Sequence, residues 1–338
     1  MKKVLQSVTI SIILLAILVG VLYGVMIHGI PLEHSVGMGI DAIVVPTTLT
    51  EQEKELTVMS FNIKCIDKLD KEGHNWTNRK ESVQTLIDRQ EADIIGFQEV
   101  THPQYKFFID NMGDDFGYYG IYRSGLNLER ADKIFNKEDP KPTIFNRIFT
   151  ALIISEASPI FYNKSRYELL DHDTFWLSNT PEKPSQDWDT KHRRICTYVA
   201  LYDHYTNKTV NVLNTHFDNS GDIPRVKSAE LVNQYIAEKG LDNVIVMGDF
   251  NAIEDSPPYN ELISKSLSNT KYLLPEAERS EGPSSNGFGK FNQELPIDHI
   301  FIQQECFTVL SNVIVRDMIN EDTFISDHFP VVSVLKQK

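Results

Sequence analysis

Short apolar runs bounded by polar residues recur along the chain from residue 56 onwards. Residues 56–63, 92–97 and 244–247 each predict a buried strand, because apolar runs of this length between polar or turn residues are typical of one. Residues 197–202 and 210–213 flank a polar stretch and predict a β-hairpin. Strands therefore account for most of the apolar pattern.

Two stretches between these runs carry apolar residues at helical spacing. Asn78 is the expected cap of a helix whose apolar stripe begins at Val83. A second helix is predicted to open at Pro224 and to close at Gly240. Neighbouring pairs of strands separated by a few helices predict an α/β (α+β) fold with two packed, mainly antiparallel β-sheets flanked by helices. Residues 56–338 contain nothing that resembles a linker, and they predict one catalytic domain.

The N-terminus has the pattern of a membrane anchor. Lys2 and Lys3 precede the uncharged residues 8–27, which match the roughly 20 apolar residues that cross a bilayer. A cleavable signal peptide has a shorter apolar core, so we expect an uncleaved signal anchor over residues 1–30 and a linker over 31–55. Because lysines stay on the cytoplasmic side, the pattern predicts a single-pass protein of the cell membrane with an extracytoplasmic catalytic domain.

Composition narrows the class of protein. The chain of 338 residues is 41% hydrophobic and 10% aromatic, which is enough to build a packed core and excludes disorder. Its net charge of −14 provides no overall basic field to attract nucleic acid or anionic lipid. Cys65, Cys196 and Cys306 lie far apart and predict neither a disulfide framework nor a zinc cluster; we expect all three to pack in the core.

Polar residues end or interrupt at least five of the predicted strands. Each has an ordinary structural explanation when taken alone, since a strand-end aspartate usually caps a turn. Together they predict a functional site, because charged groups are rarely buried without partners and these would converge from several strand ends. The residues are Asn62, Glu99, Glu156, His216, Asp218, Asp249, Asn251, Asp298, Asp327 and His328.

The oxygen ligands in this set suit a hard cation and phosphate chemistry. Carboxylates and an amide, without thiolates, favour Mg²⁺, Mn²⁺ or Ca²⁺ over zinc. A cation of this kind polarises a phosphoryl oxygen and stabilises a leaving oxygen. The candidate oxygen ligands are Glu99, Asp249, Asn251 and Asp327.

Each of the two histidines has a candidate carboxylate partner. Glu156 is the expected partner of His216, and Asp298 that of His328. A carboxylate on the far ring nitrogen fixes the tautomer and raises the imidazole pKa, which prepares a proton donor near neutral pH.

A series of motifs occurs in a fixed order between about residues 56 and 334. They are MSFNIK, ADIIGFQEV, EASPIFY, RRICTYVAL, NTHFD, GDFN, IDHIF and SDHFPV. Through them the chain resembles the endonuclease/exonuclease/phosphatase superfamily, and in particular a bacterial membrane-anchored or secreted branch of it. The resemblance implies the deoxyribonuclease I-like fold, a four-layer α/β/β/α sandwich.

The resemblance also implies a role for individual residues. Glu99, with Asn62 beside it, and Asp327 would bind the metal, most simply Mg²⁺. Asp249 would orient or deprotonate the attacking water, and Asn251 would hold the phosphate.

The remaining site residues are implied to act on the phosphoryl group. His216 and His328, each with its carboxylate partner, would stabilise that group and assist the leaving oxygen. Arg194 is implied as a phosphate contact and Asp218 as part of the site wall.

Some features of the chain depart from this pattern. Asn219 stands where a histidine often follows the NTH-x-D motif, and residues 284–288 replace a Thr-Phe-x-Gly-Phe stretch. Both departures border the expected substrate pocket and leave the substrate open. Residues 126–153 resemble an insertion, either a loop that leads into a strand or a lid facing a membrane.

We therefore predict a divalent-metal-dependent phosphoesterase, a hydrolase of ester bonds, most simply of nuclease type. One alternative is a phosphoesterase for phospholipid headgroups, sphingomyelin or inositol phosphates, which the acidity and the predicted anchor favour. Another is a catalytically inactive binding module, which would lack at least one of the main site residues. The expected partners are a phosphate-ester substrate and the membrane, and the sequence implies no protein partner.

Overall fold

The computed structural model describes residues 50, 54–67, 70–135, 155–290, 294–320 and 323–338. Its strands are β1 (Glu55–Asn62), β2 (Ile94–Gln98), β3 (Phe116–Tyr119), β4 (Ile160–Asn163), β5 (Tyr167–Trp176), β6 (Ile195–Asp203), β7 (Lys208–His216), β8 (Val244–Asp249), β9 (Leu267–Asn269), β10 (Asp298–Gln303), β11 (Phe307–Ile314), β12 (Met318–Asn320), β13 (Thr323–Phe324) and β14 (Val331–Gln337). Its α-helices are α1 (Trp76–Gln90), α2 (His102–Met112), α3 (Leu128–Phe135), α4 (Asp222–Lys239) and α5 (Pro257–Leu262). Short 3₁₀ helices occupy Glu72–His74, Thr270–Leu273 and Glu276–Glu278.

The strands form two six-stranded sheets and one two-stranded ribbon. The first sheet has the order β11-β14-β1-β2-β4-β3 and the second the order β5-β6-β7-β8-β10-β9. Among the described strands, pairing is antiparallel except between β1 and β2 and between β7 and β8. The predicted hairpin is β6 and β7. The prediction of two mainly antiparallel sheets is confirmed.

Three apolar layers hold the sheets and helices together. Side chains alternate between the two faces of a strand, so Val58 of β1 faces the second sheet and packs in one cluster with Ile245. Its neighbour Met59 faces outwards and packs in another cluster with Leu86 of α1. Val246 faces the other way from Ile245 and packs in a third cluster with residues of α4 and α5. Since each such buried side chain contributes roughly 1.5–3 kcal/mol, these layers stabilise the predicted four-layer α/β/β/α sandwich.

A glycine allows the two central strands of the second sheet to lie close together. A Cβ atom at Gly248 in β8 would lie 2.1 Å from the backbone oxygen of Thr215 in β7. Only glycine therefore fits here without displacing the backbone. The close approach occurs one residue before the ends of both strands, where His216 and Asp249 are paired.

The predicted end of one helix is confirmed, whereas the predicted starts of two helices differ from the structure. α4 opens at Asp222, two residues before the predicted start at Pro224. It is closed by Gly240, as predicted, and the φ of 61° at this position favours glycine. The prediction of Asn78 as a cap was wrong. Asn75 caps α1, and its side chain accepts a hydrogen bond from the backbone N–H of Asn78, because the cap residue precedes the first turn and binds its free N–H groups.

Some predictions concern residues outside the described part of the chain. The predicted anchor over 1–30 lies wholly outside it, as do most of the predicted linker over 31–55 and of the insertion over 126–153. Of the helices that the structure describes, none is both long and apolar enough to cross a bilayer. The anchor and the membrane location stay predictions.

The cysteines are all free, in agreement with the prediction that they form no disulfide framework. Cys196 is fully buried, as expected for core packing. Cys306 is partly buried and packs against the apolar cluster between the sheets. Cys65 is also partly buried, and for this residue the prediction of core packing was wrong. Cys65 lies instead in the loop that follows β1, next to the polar residues at the strand ends.

Candidate active site

Polar side chains from both sheets meet at one edge of the sandwich. In the second sheet, Asp249 is paired with His216 on one side and with Asp298 on the other. Asn62, at the end of β1 in the first sheet, links the two sheets. Its Nδ2 donates to Asp249 Oδ2 of the second sheet at 2.9 Å and to Glu99 Oε1 at 3.3 Å. The predicted residues are thus brought together from strands distant in sequence.

Asp249 lies at the centre of this group. Its Oδ2 is 3.5 Å from His216 Nε2 and 3.8 Å from His328 Nε2, and its Oδ1 accepts a hydrogen bond from the backbone N–H of Asn251 at 2.9 Å. Burial, and then the charge of Asp298, raise the pKa of Asp249 to about 7. A carboxyl group with a pKa near neutrality can accept a proton and release it again under physiological conditions.

His328 lies between two carboxylates. Its Nδ1 is 2.8 Å from Asp298 Oδ2, and its Nε2 faces Asp249. Burial opposes protonation, but these two carboxylates outweigh it and raise the pKa of His328 well above its ordinary value. The predicted pairing of His328 with Asp298 is present, and it favours an imidazolium cation at this position.

Ser284 holds Asp298 in place. Its hydroxyl donates to Asp298 Oδ2 at 2.6 Å and accepts from the backbone N–H groups of Asp298 and Ile297, each at 3.0 Å. Ser284 belongs to the stretch that departs from the family pattern, and sequence reasoning missed its role. A serine gives no sign in its spacing that it binds a residue 14 positions later.

Glu156 does not support His216 as predicted. Its Oε2 accepts a hydrogen bond from Arg123 Nη1 at 2.9 Å, and within the described part of the chain no hydrogen bond joins Glu156 to His216. The guanidinium prevails because a charge-assisted bond to a carboxylate is stronger than one from a neutral ring. Burial, and then the charge of Arg194, hold the pKa of His216 well below its ordinary value, so this ring loses its proton far more readily than His328 does.

Glu99 is surrounded by hydrogen-bond donors and a cation. Its Oε2 accepts from the backbone N–H of Cys65 at 3.0 Å and lies 3.8 Å from Lys64 Nζ. Although burial opposes ionisation, His216, Lys64 and the Cys65 N–H lower the pKa of Glu99 below its ordinary value. Lys64 was not among the predicted site residues, although it belongs to the MSFNIK motif.

The backbone of the site contains several residues in the left-handed region. Lys64, Glu99 and Asn251 have φ values of 59°, 61° and 48°. This conformation is uncommon for residues other than glycine, costs on the order of 1–3 kcal/mol, and is concentrated at functional sites. The surrounding contacts hold each of these residues in a conformation that an isolated loop would avoid.

Arg79 of α1 provides part of this support. It is fully buried, and its Nη1 donates to the backbone oxygens of Ile63 at 2.9 Å and Ile325 at 2.8 Å, while its Nη2 donates to that of Lys64 at 3.3 Å. It therefore ties the loop after β1 to the segment that leads to Asp327. The sequence contains Arg79 in the stretch NWTNR, but its target carbonyls cannot be inferred from spacing.

The oxygen-rich side of the site fits a divalent cation. Burial, and then the charge of Glu99, raise the pKa of Asp327 against the opposing effect of His328, so a cation near both carboxylates would relieve their repulsion. Asp249, Asp298 and His328 also have ligand atoms within 4.8 Å of one another. Both ring nitrogens of His328 face carboxylates, so the proton of the imidazolium already balances the negative charge of Asp249 and Asp298. Glu99 and Asp327 are therefore the better candidates for binding a cation.

Asn62, predicted beside the metal, makes hydrogen bonds through both ends of its side-chain amide. Its amide nitrogen faces Glu99 and Asp249, and its amide oxygen accepts from the backbone N–H of Lys64 at 3.1 Å. In this arrangement Asn62 positions two carboxylates, and its amide oxygen keeps a second lone pair, so its place in the metal shell stays a prediction.

The remaining predicted residues form the wall of the site. Asn251 Nδ2 donates to the backbone oxygen of Phe217 at 3.1 Å. Asp218 accepts from the backbone N–H of Lys191 at 3.2 Å, and one of its carboxylate oxygens lies 3.7 Å from Arg194 Nε. Asn251 and Arg194 are thus placed next to the catalytic group, as a contact with phosphate would require.

The chain is similar to a known protein family in sequence and to solved structures in fold. Residues 59–328 match the Endonuclease/Exonuclease/phosphatase family model. The solved structure of an endonuclease/exonuclease/phosphatase from Bacteroides vulgatus is similar at 28% identity and a TM-score of 0.69, over 84% of this chain and 99% of that one. A mannosyl-6-phosphatase from Bacteroides thetaiotaomicron is similar at 27% identity and a TM-score of 0.66, over 83% and 99%.

A relative is also found among viral proteins. An uncharacterized protein of Acanthamoeba polyphaga mimivirus is 24% identical over 274 residues, which cover 78% of this chain and 93% of that protein. Members of the matched family hydrolyse phosphoester bonds, and the match covers most of the chain, including every predicted site residue. The chain therefore belongs to the Endonuclease/Exonuclease/phosphatase family.

Proposed function

We propose that this chain is a divalent-cation-dependent phosphoesterase. The observation that carries the proposal is the position of Asp249 Oδ2, which lies 2.9 Å from Asn62 Nδ2, 3.5 Å from His216 Nε2 and 3.8 Å from His328 Nε2. A carboxylate with a pKa of about 7 beside two imidazoles provides both a base and an acid in one small volume.

Glu99 and Asp327 would hold the cation. Their oxygen donors suit Mg²⁺, Mn²⁺ or Ca²⁺. The cation, when bound, polarises a phosphoryl oxygen and stabilises charge on the leaving oxygen. Lys64, 3.8 Å from Glu99, would set how tightly this carboxylate binds a cation.

The protein groups would divide the remaining tasks. Asp249 accepts the proton of the attacking water, while Asn62 fixes the orientation of its carboxylate. His328, kept cationic by Asp298, donates a hydrogen bond to the phosphoryl group, where negative charge accumulates. Asn251 adds a second contact to the phosphate.

A phosphatase acting on a small phosphorylated molecule is the leading form of this proposal. It is supported by the net charge of −14, which disfavours a polyanionic substrate. It is also supported by the likeness to the mannosyl-6-phosphatase, at 27% identity over nearly the whole of that chain.

A nuclease of the same mechanism is the second candidate. It is favoured by the run Lys191-His192-Arg193-Arg194 beside the site, in which Lys191 and His192 are exposed and could contact a nucleic-acid backbone. Hydrolysis of lipid headgroups was favoured by the predicted membrane anchor, and that anchor stays a prediction. An inactive binding module is disfavoured because the main catalytic side chains are present and lie together.

Hydrolysis assays with purified full-length protein test the proposal. The substrates are p-nitrophenyl phosphate, bis-p-nitrophenyl phosphate and supercoiled plasmid, each with Mg²⁺ and with chelator, and H328A serves as the blank. We expect release of p-nitrophenol that needs both the cation and His328. Nicking of plasmid at a higher kcat/KM than either small ester would favour the nuclease, and no hydrolysis of any substrate would contradict the proposed function.

A further inference from the structure

The loop of residues 284–290 holds the backbone of Asp327. The backbone oxygen of Asp327 accepts hydrogen bonds from the N–H groups of Asn286 at 2.8 Å and Gly287 at 3.0 Å. The side-chain Nδ2 of Asn286 donates to the backbone oxygen of Ser326 at 3.0 Å. Asn286 is fully buried, so these bonds are shielded from water. The position of Asp327 therefore depends on the conformation of this loop.

The same loop has a strained backbone. Gly287, Phe288 and Gly289 have φ values of 54°, 54° and 83°, so three successive residues lie in the left-handed region. Glycine adopts this conformation readily, but a bulky residue such as phenylalanine is an outlier there. Strained residues persist only where the surrounding structure holds them, and they are concentrated at functional sites. The contacts of the Phe288 side chain therefore have to stabilise the loop.

The ring of Phe288 packs against two residues at the start of α1. It is stacked on the imidazole of His74, with 4.1 Å between the ring centroids and an angle of 9° between the ring planes. The guanidinium carbon of Arg79 lies 5.5 Å from the centroid of the Phe288 ring, which is within the range of a cation–π contact. Arg79 Nε also donates to the backbone oxygen of His74 at 2.7 Å. These three residues therefore form one packed group.

The packed group connects the two segments that carry the expected cation ligands. Arg79 donates to the backbone oxygens of Lys64 at 3.3 Å and Ile325 at 2.8 Å. Lys64 lies in the loop after β1, which donates a backbone hydrogen bond to Glu99, and Ile325 lies two residues before Asp327. A ring packed on the guanidinium keeps its donors on these carbonyls. It therefore limits how far the two carboxylates can move relative to each other.

We propose that Phe288 is a positioning residue for the divalent cation, because its packed ring fixes the loop that places the Asp327 carboxylate near Glu99. The inference rests on the proposed function, in which these two carboxylates hold the cation. The phenylalanine side chain has no oxygen, nitrogen or sulfur atom with which to bind a cation itself, so its effect passes through Asp327. Residues that orient the ligands of a metal typically contribute roughly 10–100-fold to the affinity for that metal.

Binding of Mn²⁺ to the purified full-length protein tests this role without turnover. Electron paramagnetic resonance distinguishes free from bound Mn²⁺, so a titration gives the Kd of each variant. We expect F288A to bind Mn²⁺ about 10-fold more weakly than the wild type does. F288Y keeps the stacked ring and should bind Mn²⁺ as the wild type does. H74A removes the other ring of the stack and should give a smaller loss than F288A.

F116A is the matched control. Phe116 is also half-buried, and it packs against an apolar cluster from β3, which is an edge strand of the first sheet. F116A should lower the melting temperature in chelator, as F288A does, but should leave the Kd for Mn²⁺ unchanged. This comparison separates a loss of stability from a loss of positioning. If F288A does not fold, F288L, which keeps the apolar bulk but loses the flat ring, provides the same comparison.

The possible outcomes separate this inference from the proposed function. Equal Kd values for Mn²⁺ in the wild type and F288A, or an equal loss in F116A, would overturn the role of Phe288 and leave the proposed function intact. A loss in F288Y as large as that in F288A would also overturn it, because the stacked ring would then not account for the effect. If F288A binds Mn²⁺ more weakly but the wild type hydrolyses no ester, the proposed function is contradicted and the role of Phe288 is supported. Absence of Mn²⁺ binding by the wild type would contradict both.

Discussion

The side-chain amides of Gln98 and Asn214 meet between the two sheets, with Gln98 Nε2 2.7 Å from Asn214 Oδ1. Asn214 Nδ2 in turn donates to the backbone oxygens of Phe97 at 2.8 Å and Pro159 at 3.0 Å. Both amides are fully buried. Gln98 directly precedes Glu99, and Asn214 lies two residues before His216, so this contact sets the distance between the halves of the active site.

Replacing Asn214 with alanine should therefore destabilise the protein strongly. N214A removes three buried hydrogen bonds, one from the Gln98 amide and two to backbone oxygens, and each such bond contributes ~0.5–1.5 kcal/mol. We expect urea denaturation to show a loss of ~2–5 kcal/mol in the free energy of unfolding. N260A removes the side chain of an exposed asparagine, which donates to the backbone oxygen of Asp255, and it should cost less than ~0.5 kcal/mol. Equal effects of the two substitutions would show that the contact between the sheets contributes little.

The strands that carry the site follow from the sequence, because their apolar runs are long and their polar ends are distinct. Asp249 and His328 could be assigned to the site for this reason, and the motif order fixed the fold. The partners of these residues could not be assigned in the same way. Glu156 was expected to bind His216. It instead accepts a hydrogen bond from Arg123, which lies 33 positions earlier in the chain.

The residues that sequence reasoning missed act through tertiary contacts. Ser284 and Arg79 bind backbone atoms and carboxylates that are remote along the chain, and no periodicity reports such contacts. Lys64 lies inside the MSFNIK motif, but its left-handed φ of 59° directs its side chain in a way that an extended strand pattern does not predict.

Buried His299 should make the stability of the fold sensitive to acid. Its Nε2 lies 2.9 Å from the backbone oxygen of Ala252 and its Nδ1 3.1 Å from Asn269 Nδ2, an arrangement that suits a neutral ring with one donor and one acceptor. Burial lowers its pKa to about 4, against about 6.5 in an unfolded chain. The stabilisation is therefore complete above pH ~6.5 and is lost as the pH falls towards 4, by about 3 kcal/mol.

Denaturation of wild type and H299Q across this range measures the effect. We expect the free energy of unfolding of the wild type to fall more steeply between pH 6.5 and 4 than that of H299Q. Parallel curves for the two proteins would show that other groups cause the acid sensitivity.

Glu99 should be required for the binding of a divalent cation. Mg²⁺ that binds the folded state raises the melting temperature, and chelator should reverse the increase. E99Q keeps the size of the side chain but removes its charge, so we expect the increase in melting temperature to disappear. E129Q alters an exposed glutamate that pairs with Lys133 on α3 and should leave it unchanged. An undiminished increase in E99Q would place the cation elsewhere, for example at the group formed by Asp249, Asp298 and His328.

Ser284 should act on catalysis by positioning Asp298. Loss of its hydroxyl removes the 2.6 Å bond to Asp298 Oδ2 and frees this carboxylate to turn away from His328. We expect S284A to lower kcat on a phosphate ester ~10-fold, the lower end of what a positioned acid contributes, with KM nearly unchanged because the substrate contacts remain. S264A, at an exposed serine that caps a turn at Glu261, is the control. S284C, whose thiol is a weaker donor, should give an intermediate kcat. A rise in KM without a fall in kcat would show instead that Ser284 shapes the substrate pocket and leaves the pair of His328 and Asp298 intact.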